Sequence, residues 1–442
     1  MKLLFLNPPN PYAKRGWGMI RDVNRSGRAS PEHTRWPQTS LAQIAALFPS
    51  HEVQLWDCVV DGTDNYALLD QLKSYRPDWV VVESVSATFT YDMVSVGYAR
   101  SLGARTVLIS PHANALETEV RERFPAIDQI FHYSKHEEPE YAIRELITGE
   151  KRQDHETFET LPSARQDLLP IHLYDLPLIG RNYTFVISSR ACAWQCAWCR
   201  VTQTWKTSPR FRRPVDIISE IETYHLKNIV FHADVFTMNK QQVYEICERM
   251  PKGVRWCANS RVDTVDLPLL KAMKKSGCWQ LFYGCESGND RVLALNNKKA
   301  TVAQAEQAIR WTKEAGIRVH AYMMMGQIGE TPESMMDNIR FAKRIPADSV
   351  NFSVCTPYPD TAMHKLASEK GWLKEHSYED FDQSYSAIVD QPACSAELVK
   401  QFQRRAYLEW YASPRGLKFL AESWKPRHAR FFWNVAKAHL SL

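Results

Sequence analysis

The stretch TFVISSRACAWQCAWC, residues 184–199, runs from a strand-like apolar segment straight into three cysteines spaced C-x3-C-x2-C. A closed structural zinc site needs four thiolate or imidazole ligands. Only Cys192, Cys196 and Cys199 cluster here, and the flanking histidines, His172 and His225, lie outside finger-type spacing. Three thiolates suit instead a [4Fe-4S] cluster that leaves one iron open to a small molecule.

Working outward, the strand candidate Thr184–Ser188 opens a long alternation. Further strands are expected at Asn228–Phe231, Arg255–Ala258, Gln280–Cys285, Arg318–Met325 and Val350–Val354, separated by helical stretches such as Pro214–His225 and Thr301–Ala315. Six strand-helix units over 182–365 predict a partial (β/α)6 TIM barrel, whose active site should lie at the C-terminal strand ends. The cysteines fall at one such end.

Residues 1–150 show an earlier alternation, with strands expected at Leu3–Leu6, Val53–Trp56, Trp79–Glu83, Thr106–Ile109 and about Gln129–Tyr133. That order predicts an α/β, Rossmann-like doubly wound parallel sheet, which binds ligands outside the carboxyl ends of its strands. Between the two regions, 151–181 is charged and spaced by Pro162, Pro170 and Pro177, as in an interdomain linker. Residues 366–442 are expected to form a C-terminal helical region.

Ten cysteines are scattered through 442 residues apart from the one cluster, unlike a short secreted disulfide framework. No run of 18 apolar residues occurs, and the opening MKLLFLNPPNP is too short an apolar run for a secretory leader. A cytoplasmic protein with no membrane span is expected. The net charge of +5 sits mainly in the last 42 residues, where eight Lys/Arg face two Glu. Phe431, Phe432 and Trp433 make a nucleic-acid face conceivable there, but an amphipathic helix with its aromatics packed inward is the simpler expectation.

The cysteine spacing resembles that of the radical SAM superfamily, whose members let S-adenosylmethionine chelate the fourth iron and cleave it to a 5'-deoxyadenosyl radical. Trp198, just before the third cysteine, matches the aromatic that packs on the adenosyl group in that family. IVFHADVFTMNK (229–240) resembles the second-strand segment and supplies His232 and Asp234; WCANSRVDTVD (256–266) resembles the third-strand pattern and supplies Arg261 and Asp263. LFYGCESGNDRVL (281–293) matches G-x-E-S-G, making Glu286 and Ser287 candidates for the ribose hydroxyls. YMMMGQIGET (322–331) matches G-x-P-G-E-T with Ile328 for Pro, placing Gly326 and Ile328 beside the adenine; TPYPDTAMH (356–364) matches T-P-Y-P-G-T with Asp360 for Gly. Arg261 and Asp263 could equally form a structural pair, Gly326 an ordinary turn, and His232 and His320 satisfied core histidines.

An amino-terminal Rossmann-like domain ahead of such a barrel resembles the cobalamin-binding branch of this superfamily. Members usually carry glycines after the fourth and fifth strands, where this chain has ISPH (109–112) and KHEE (135–138). Bulkier residues take the space a nucleotide tail would enter, so cobalamin is expected to be absent. The layout is also similar to a hopanoid-pathway ring-contraction protein, through LFLNPP and WPQTSLAQIAAL (36–47), and to the diol dehydratase of aminoglycoside antibiotic biosynthesis.

The resemblances imply a [4Fe-4S] cluster, S-adenosylmethionine, an electron donor such as flavodoxin or ferredoxin, a possible partner reductase, and an amino sugar or pseudodisaccharide substrate. The favoured reaction is hydrogen abstraction from a hydroxyl-bearing carbon, then loss of the neighbouring hydroxyl as water. That needs an acid and a base; Asp234, Asp263 and Asp360 are the acidic candidates, with His232, His320 and Tyr358 for proton transfer. The alternative is a cobalamin-dependent C-methyltransferase, and a non-catalytic nucleic-acid module with a structural cluster is the reading from a different class.

Overall fold

In a computed structural model the chain is described over residues 1–442 except 23–26, 31–33, 177–178, 206–207, 385, 425–428, 430–432 and 434–442. The first five strands are β1 (Lys2–Asn7), β2 (Glu52–Asp57), β3 (Trp79–Glu83), β4 (Arg105–Ile109) and β5 (Gln129–Phe131). They pair in parallel in the order β2-β1-β3-β4-β5. Their centres are buried runs such as LLFL and VVV, as a parallel sheet covered on both faces requires. The order reverses between β1 and β3, the point where doubly wound sheets open a ligand crevice.

Six further strands form the second sheet: β6 (Tyr183–Ile187), β7 (Asn228–His232), β8 (Arg255–Ser260), β9 (Cys278–Glu286), β10 (Arg318–Met325) and β11 (Ser349–Val354). They pair in sequence order, β6 to β11, all in parallel. Among the described residues β6 does not meet β11, so the barrel is open. Helices return each strand to the sheet, and their starts are capped as the sequence dictates. Asn239, Asp266 and Asn289 side chains accept from backbone N–H groups at Gln242, Leu269 and Val292, and Thr301 and Thr331 form capping boxes.

Alternation along the strands sorts the core. Ile229, Phe231, Trp256, Ala258, Leu281 and Tyr283 pack outward against the helices. Val230, Cys257 and Phe282, facing the other way, join Phe185 in one buried cluster with Leu3, Phe5, Val81 and Val107 of the first sheet's inner face. The two sheets are thus fastened across a common apolar core, with the N-terminal sheet covering the open barrel.

The stretch expected to be a linker is part of that core. Phe158, Leu161, Ala164, Leu169 and Tyr174 are buried in it, on short helical turns between the prolines. Tyr174 donates to Asp57 Oδ2 at 2.9 Å and Gln43 Nε2 to the Pro162 carbonyl at 2.6 Å, so these residues bind the two sheets together.

The C-terminal region is less helical than expected. After the helix Ala362–Glu369 the chain runs irregularly before Ala396–Tyr411 and Pro414–Ser423. Within that irregular run Tyr378 reaches the N-terminal sheet, stacking edge-on against His112 at 4.5 Å and Phe89 at 5.8 Å. Phe431 and Phe432 lie outside the described residues; Trp433, expected to pack inward, is 61% exposed, as is Trp424 at 57%. Among the described residues no helix is long and apolar enough to cross a membrane.

Candidate active site

The cysteine loop leaves the barrel at the end of β6, through Ser189–Arg190 and a left-handed Ala191 at φ 64°. All three cysteines are half-buried and free. Burial raises their thiols, Cys199 to about 12, while Lys298 and Arg261 pull Cys196 back down. A thiol so placed becomes a thiolate when it binds a metal. No set of three His, Cys, Asp or Glu side chains among the described residues converges as ligands of a single ion. A cluster asks for a different arrangement, in which the thiolates reach separate irons of one inorganic core.

The loop is held from several sides. The Ala197 N–H donates to the Asn296 carbonyl at 3.0 Å, the Ala197 carbonyl accepts from Met363 N–H at 3.0 Å, and Asn297 Nδ2 donates to the Gln195 carbonyl at 2.7 Å. Arg261 is the largest brace. It meets Asp263 through two hydrogen bonds of 2.9 and 2.8 Å, donates to the Lys298 carbonyl at 2.7 Å, stacks on Trp194 at 4.2 Å, and puts Nη1 3.9 Å from Cys196 Sγ. Asp263 is therefore engaged with Arg261. Two cations, Arg261 and Lys298, lie against the cysteines, as the negative charge of a thiolate-ligated cluster requires. The donor set and its surroundings fit that group.

At the end of β9, Glu286 has a left-handed φ of 68° and pairs with Lys298 Nζ at 3.1 Å. Strain at a non-glycine residue of this kind persists where the surroundings impose it, and such positions gather at functional sites. Ser287 does not accompany Glu286 into the cleft. It is fully buried and its hydroxyl donates to Asn338 Oδ1 at 2.8 Å, so it braces the turn rather than presenting a group to a ribose.

Gly326 has φ 87°, and its N–H is accepted by Glu330 Oε2 at 2.5 Å. Burial pushes the Glu330 carboxyl up to about 7, although Gln327 N–H and Asn338 Nδ2 also donate to it. Ile328 and Trp198 pack against the same apolar cluster, built on Met324, Cys355, Tyr358 and Met363. An apolar slot for an adenine can form between them.

The candidate proton-transfer groups are divided. Asp234 is near enough to act on Cys192 and Cys199 electrostatically. His320 is buried beside Phe282 and Tyr322, and its Nδ1 lies 2.7 Å from Ser349 Oγ. Burial, then the Arg28 charge, lowers its pKa to about 3, so it is a neutral imidazole at ordinary pH and has no imidazolium proton to give. Tyr358 is buried under the Arg200 guanidinium, 5.4 Å from its ring, whereas Asp360 is exposed at φ 69°. His232, at the end of β7, bonds Asp22 Oδ2 through Nε2 at 2.8 Å and stacks on Phe185. Asp22 and Lys298 carry no motif of their own, and only the folded chain brings them here.

At the strand ends of the first sheet, the crevice between β1 and β3 is taken up by Arg21. Its guanidinium bonds Asn7 Oδ1, the Pro8 and Pro9 carbonyls and Asp92, and both members of the Arg21–Asp92 pair are fully buried. Ser86 Oγ and His112 Nδ1 are 3.0 Å apart, and Tyr378 covers the histidine. The KHEE carboxylate Glu138 pairs with Arg210 and the nearby Glu140 with Arg190, two residues before Cys192.

A family model described as the radical SAM superfamily matches residues 186–342. Over 452 aligned positions the chain is 24% identical to an uncharacterized methyltransferase of Pyrococcus horikoshii, covering 94% of each. The radical SAM methyltransferase TsrM of Kitasatospora setae, solved with cobalamin and a [4Fe-4S] cluster, superposes with a TM-score of 0.62 at 14% identity over 97% of this chain and 89% of that one. OxsB, a cobalamin-dependent S-adenosylmethionine radical enzyme solved with aqua-cobalamin and S-adenosylmethionine, gives 0.58 at 14% over 100% and 71%. These likenesses bear out the two-part α/β fold and the branch. They lend no support to the expected absence of cobalamin, and the relatives' names favour methyl transfer over dehydration.

Proposed function

From a chain that carries a radical SAM domain behind a Rossmann-like sheet, we propose an enzyme that cleaves S-adenosylmethionine and transfers a methyl group to a carbon of a small polar molecule held between barrel and N-terminal sheet. The observation that carries the proposal is the cysteine loop itself. Three thiols sit at a barrel-strand end against Arg261 and Lys298, with Glu286 on one side and the Trp198–Ile328 slot on another. Bound there, a [4Fe-4S] cluster supplies the electron that splits the sulfonium. The chain's own residues orient: Arg261 fixes the loop, Glu286 offers a carboxylate at the strand end, and Trp198 with Ile328 offers apolar surface to the adenine.

Methyl transfer as the outcome is supported by the methyltransferase name of the relative aligned along 94% of this chain. A specific observation favours a second reading, diol dehydration. Arg21 and Tyr378 take the space over the ends of β1, β3 and β4, so a corrinoid with its nucleotide tail among these strands would have to displace them. The residues as packed do not fit a tail inserted there, and no step is routed through that group.

Anaerobic reconstitution with iron, sulfide, a reductant and S-adenosylmethionine tests the common core. 5'-Deoxyadenosine or S-adenosylhomocysteine should form, and neither forming with the cluster intact would overturn the proposal. Stoichiometric corrinoid with S-adenosylhomocysteine identifies methyl transfer; 5'-deoxyadenosine alone, with a product lighter by one water, identifies the second reading.

A further inference from the structure

Between the two sheets lies a cavity of about 190 Å³ whose wall includes Asp22, Gln38, Thr39, Glu83, Phe185 and His232. Ordinary small-molecule pockets start at about 300 Å³, so this one has room for one end of a ligand. Its polar lining is rich in acceptors. Asp22 and Glu83 are carboxylates, 3% and 2% exposed. The neighbouring Arg21 does not offset them, because it is fully buried against Asp92 and its N–H groups are directed at Asn7, Pro8, Pro9 and Thr88.

A second observation points to a ligand. Gln38 and Thr39 are 2% and 1% exposed, and among the described residues neither Gln38 Oε1 nor Thr39 Oγ1 finds a hydrogen-bond partner. The Gln38 amide nitrogen is already donating to the Trp36 carbonyl at 2.9 Å, which fixes which end of the amide is left. A buried polar atom without a partner costs about 1–3 kcal/mol, and a donor arriving in the cavity would remove that cost. The rest of the wall is aromatic: Trp36 meets Phe185 edge-on at 4.6 Å, and Phe185 stacks with His232 at 5.4 Å. Carboxylates and an orphaned carbonyl beside aromatic faces form a setting for a cation with N–H donors.

The cavity also adjoins the reaction site. His232 ends β7, and two residues on Asp234 acts on the thiols of Cys192 and Cys199. We propose that this cavity binds a primary ammonium group borne on a compact ring of the substrate, and that Asp22 and Gln38 of the N-terminal region thereby select the substrate for the barrel. The assignment rests on the reading that a small molecule is modified at the cysteine-loop end of the barrel.

Cyclohexylamine and its neutral isostere cyclohexanol are suitable probes, followed by ligand-observed NMR on the full, cluster-loaded chain. The amine should bind about tenfold or more tightly than the alcohol. D22N and Q38L should each weaken the amine about tenfold while leaving the alcohol unchanged, and T39V, which keeps shape and volume, should weaken it less. Equal binding of the two probes, or D22N and T39V both binding the amine like wild type with unchanged circular dichroism, would overturn the assignment. So would loss of amine binding when cobalamin is added, since a corrinoid would then own the cavity. S-adenosylmethionine cleavage on the same samples separates the two claims: intact cleavage without amine preference sinks the cavity assignment alone, and amine preference without cleavage sinks only the reaction.

Discussion

Replacing Arg261 by Met should loosen the cysteine loop by an amount its contacts allow to be worked out. The guanidinium side chain is 6% exposed and its partner Asp263 13%, so neither charge is well screened by water. Met fills most of the volume but leaves Asp263 without its two bonds of 2.9 and 2.8 Å and the Lys298 carbonyl without its bond of 2.7 Å. Removing one partner of a buried pair costs about 3–5 kcal/mol, and partial exposure of Asp263 puts this case at the lower end. Loss of the stacking on Trp194 adds about 1 kcal/mol. Urea denaturation of the iron-free protein should therefore show R261M destabilised by about 3–4 kcal/mol, with iron and sulfide per reconstituted chain falling alongside. The double variant R261M/D263N should regain at least about 1 kcal/mol relative to the sum of the single variants, because the stranded carboxylate is gone. A cost below about 1 kcal/mol for R261M, or a strictly additive cycle, would refute the view of Arg261 as the brace of the loop.

Further expectations follow from single sites. Alanine at Cys192, Cys196 or Cys199 should abolish iron binding and S-adenosylmethionine cleavage, whereas C257A, in the apolar seam, should keep both; iron analysis and chromatography of the products decide. Glu330 has a folded pKa raised to about 7 by burial, so the native state holds a proton that the unfolded chain has already released between roughly pH 4.5 and 7. Stability should fall by about 3 kcal/mol as pH rises through that window. E330Q should remove the slope whatever its absolute stability, as urea midpoints at pH 5 and 8 will show. His112 and His320, lowered to about 3 mainly by burial, act the other way: both contribute above about pH 6.5, and the contribution is lost as pH falls toward 3. H320N should reduce the acid-side slope by about 1.4 kcal/mol per pH unit. Y378A, which uncovers His112 and Phe89, should cost about 3 kcal/mol. If corrinoid binding is blocked by this ring, Y378A should also take up more cobalamin than wild type, read by absorbance after gel filtration.

The strands were legible because each is a short, locally apolar run whose burial any parallel sheet demands. Trp79–Glu83 and Arg318–Met325 have the same bounds in sequence and structure, and Gln280–Cys285 grew only by flanking residues to Cys278–Glu286. The cysteine loop was legible because spacing within eight residues is a local property. Residues 151–181 misled, since prolines and charges resemble a linker whether or not the apolar residues between them find a core. Ser287 was singled out by a local motif but is turned inward by Asn338, 51 residues away.

By itself, then, the sequence determined the two parallel sheets, their order along the chain and the place of the three thiols, all of which follow from periodicity and short-range spacing. Only the tertiary structure decided which groups surround those thiols and what fills the space between the sheets. Asp22 reaches His232 across 210 residues, Tyr378 reaches Glu119 across 259, and Lys298 comes against Glu286 and Cys196 from beyond a helix. The physical reason is that burial is paid for collectively: a charge such as Arg21, Arg261 or Lys298 can enter the interior only where the fold delivers its partners, and no local stretch of sequence records where they will come from.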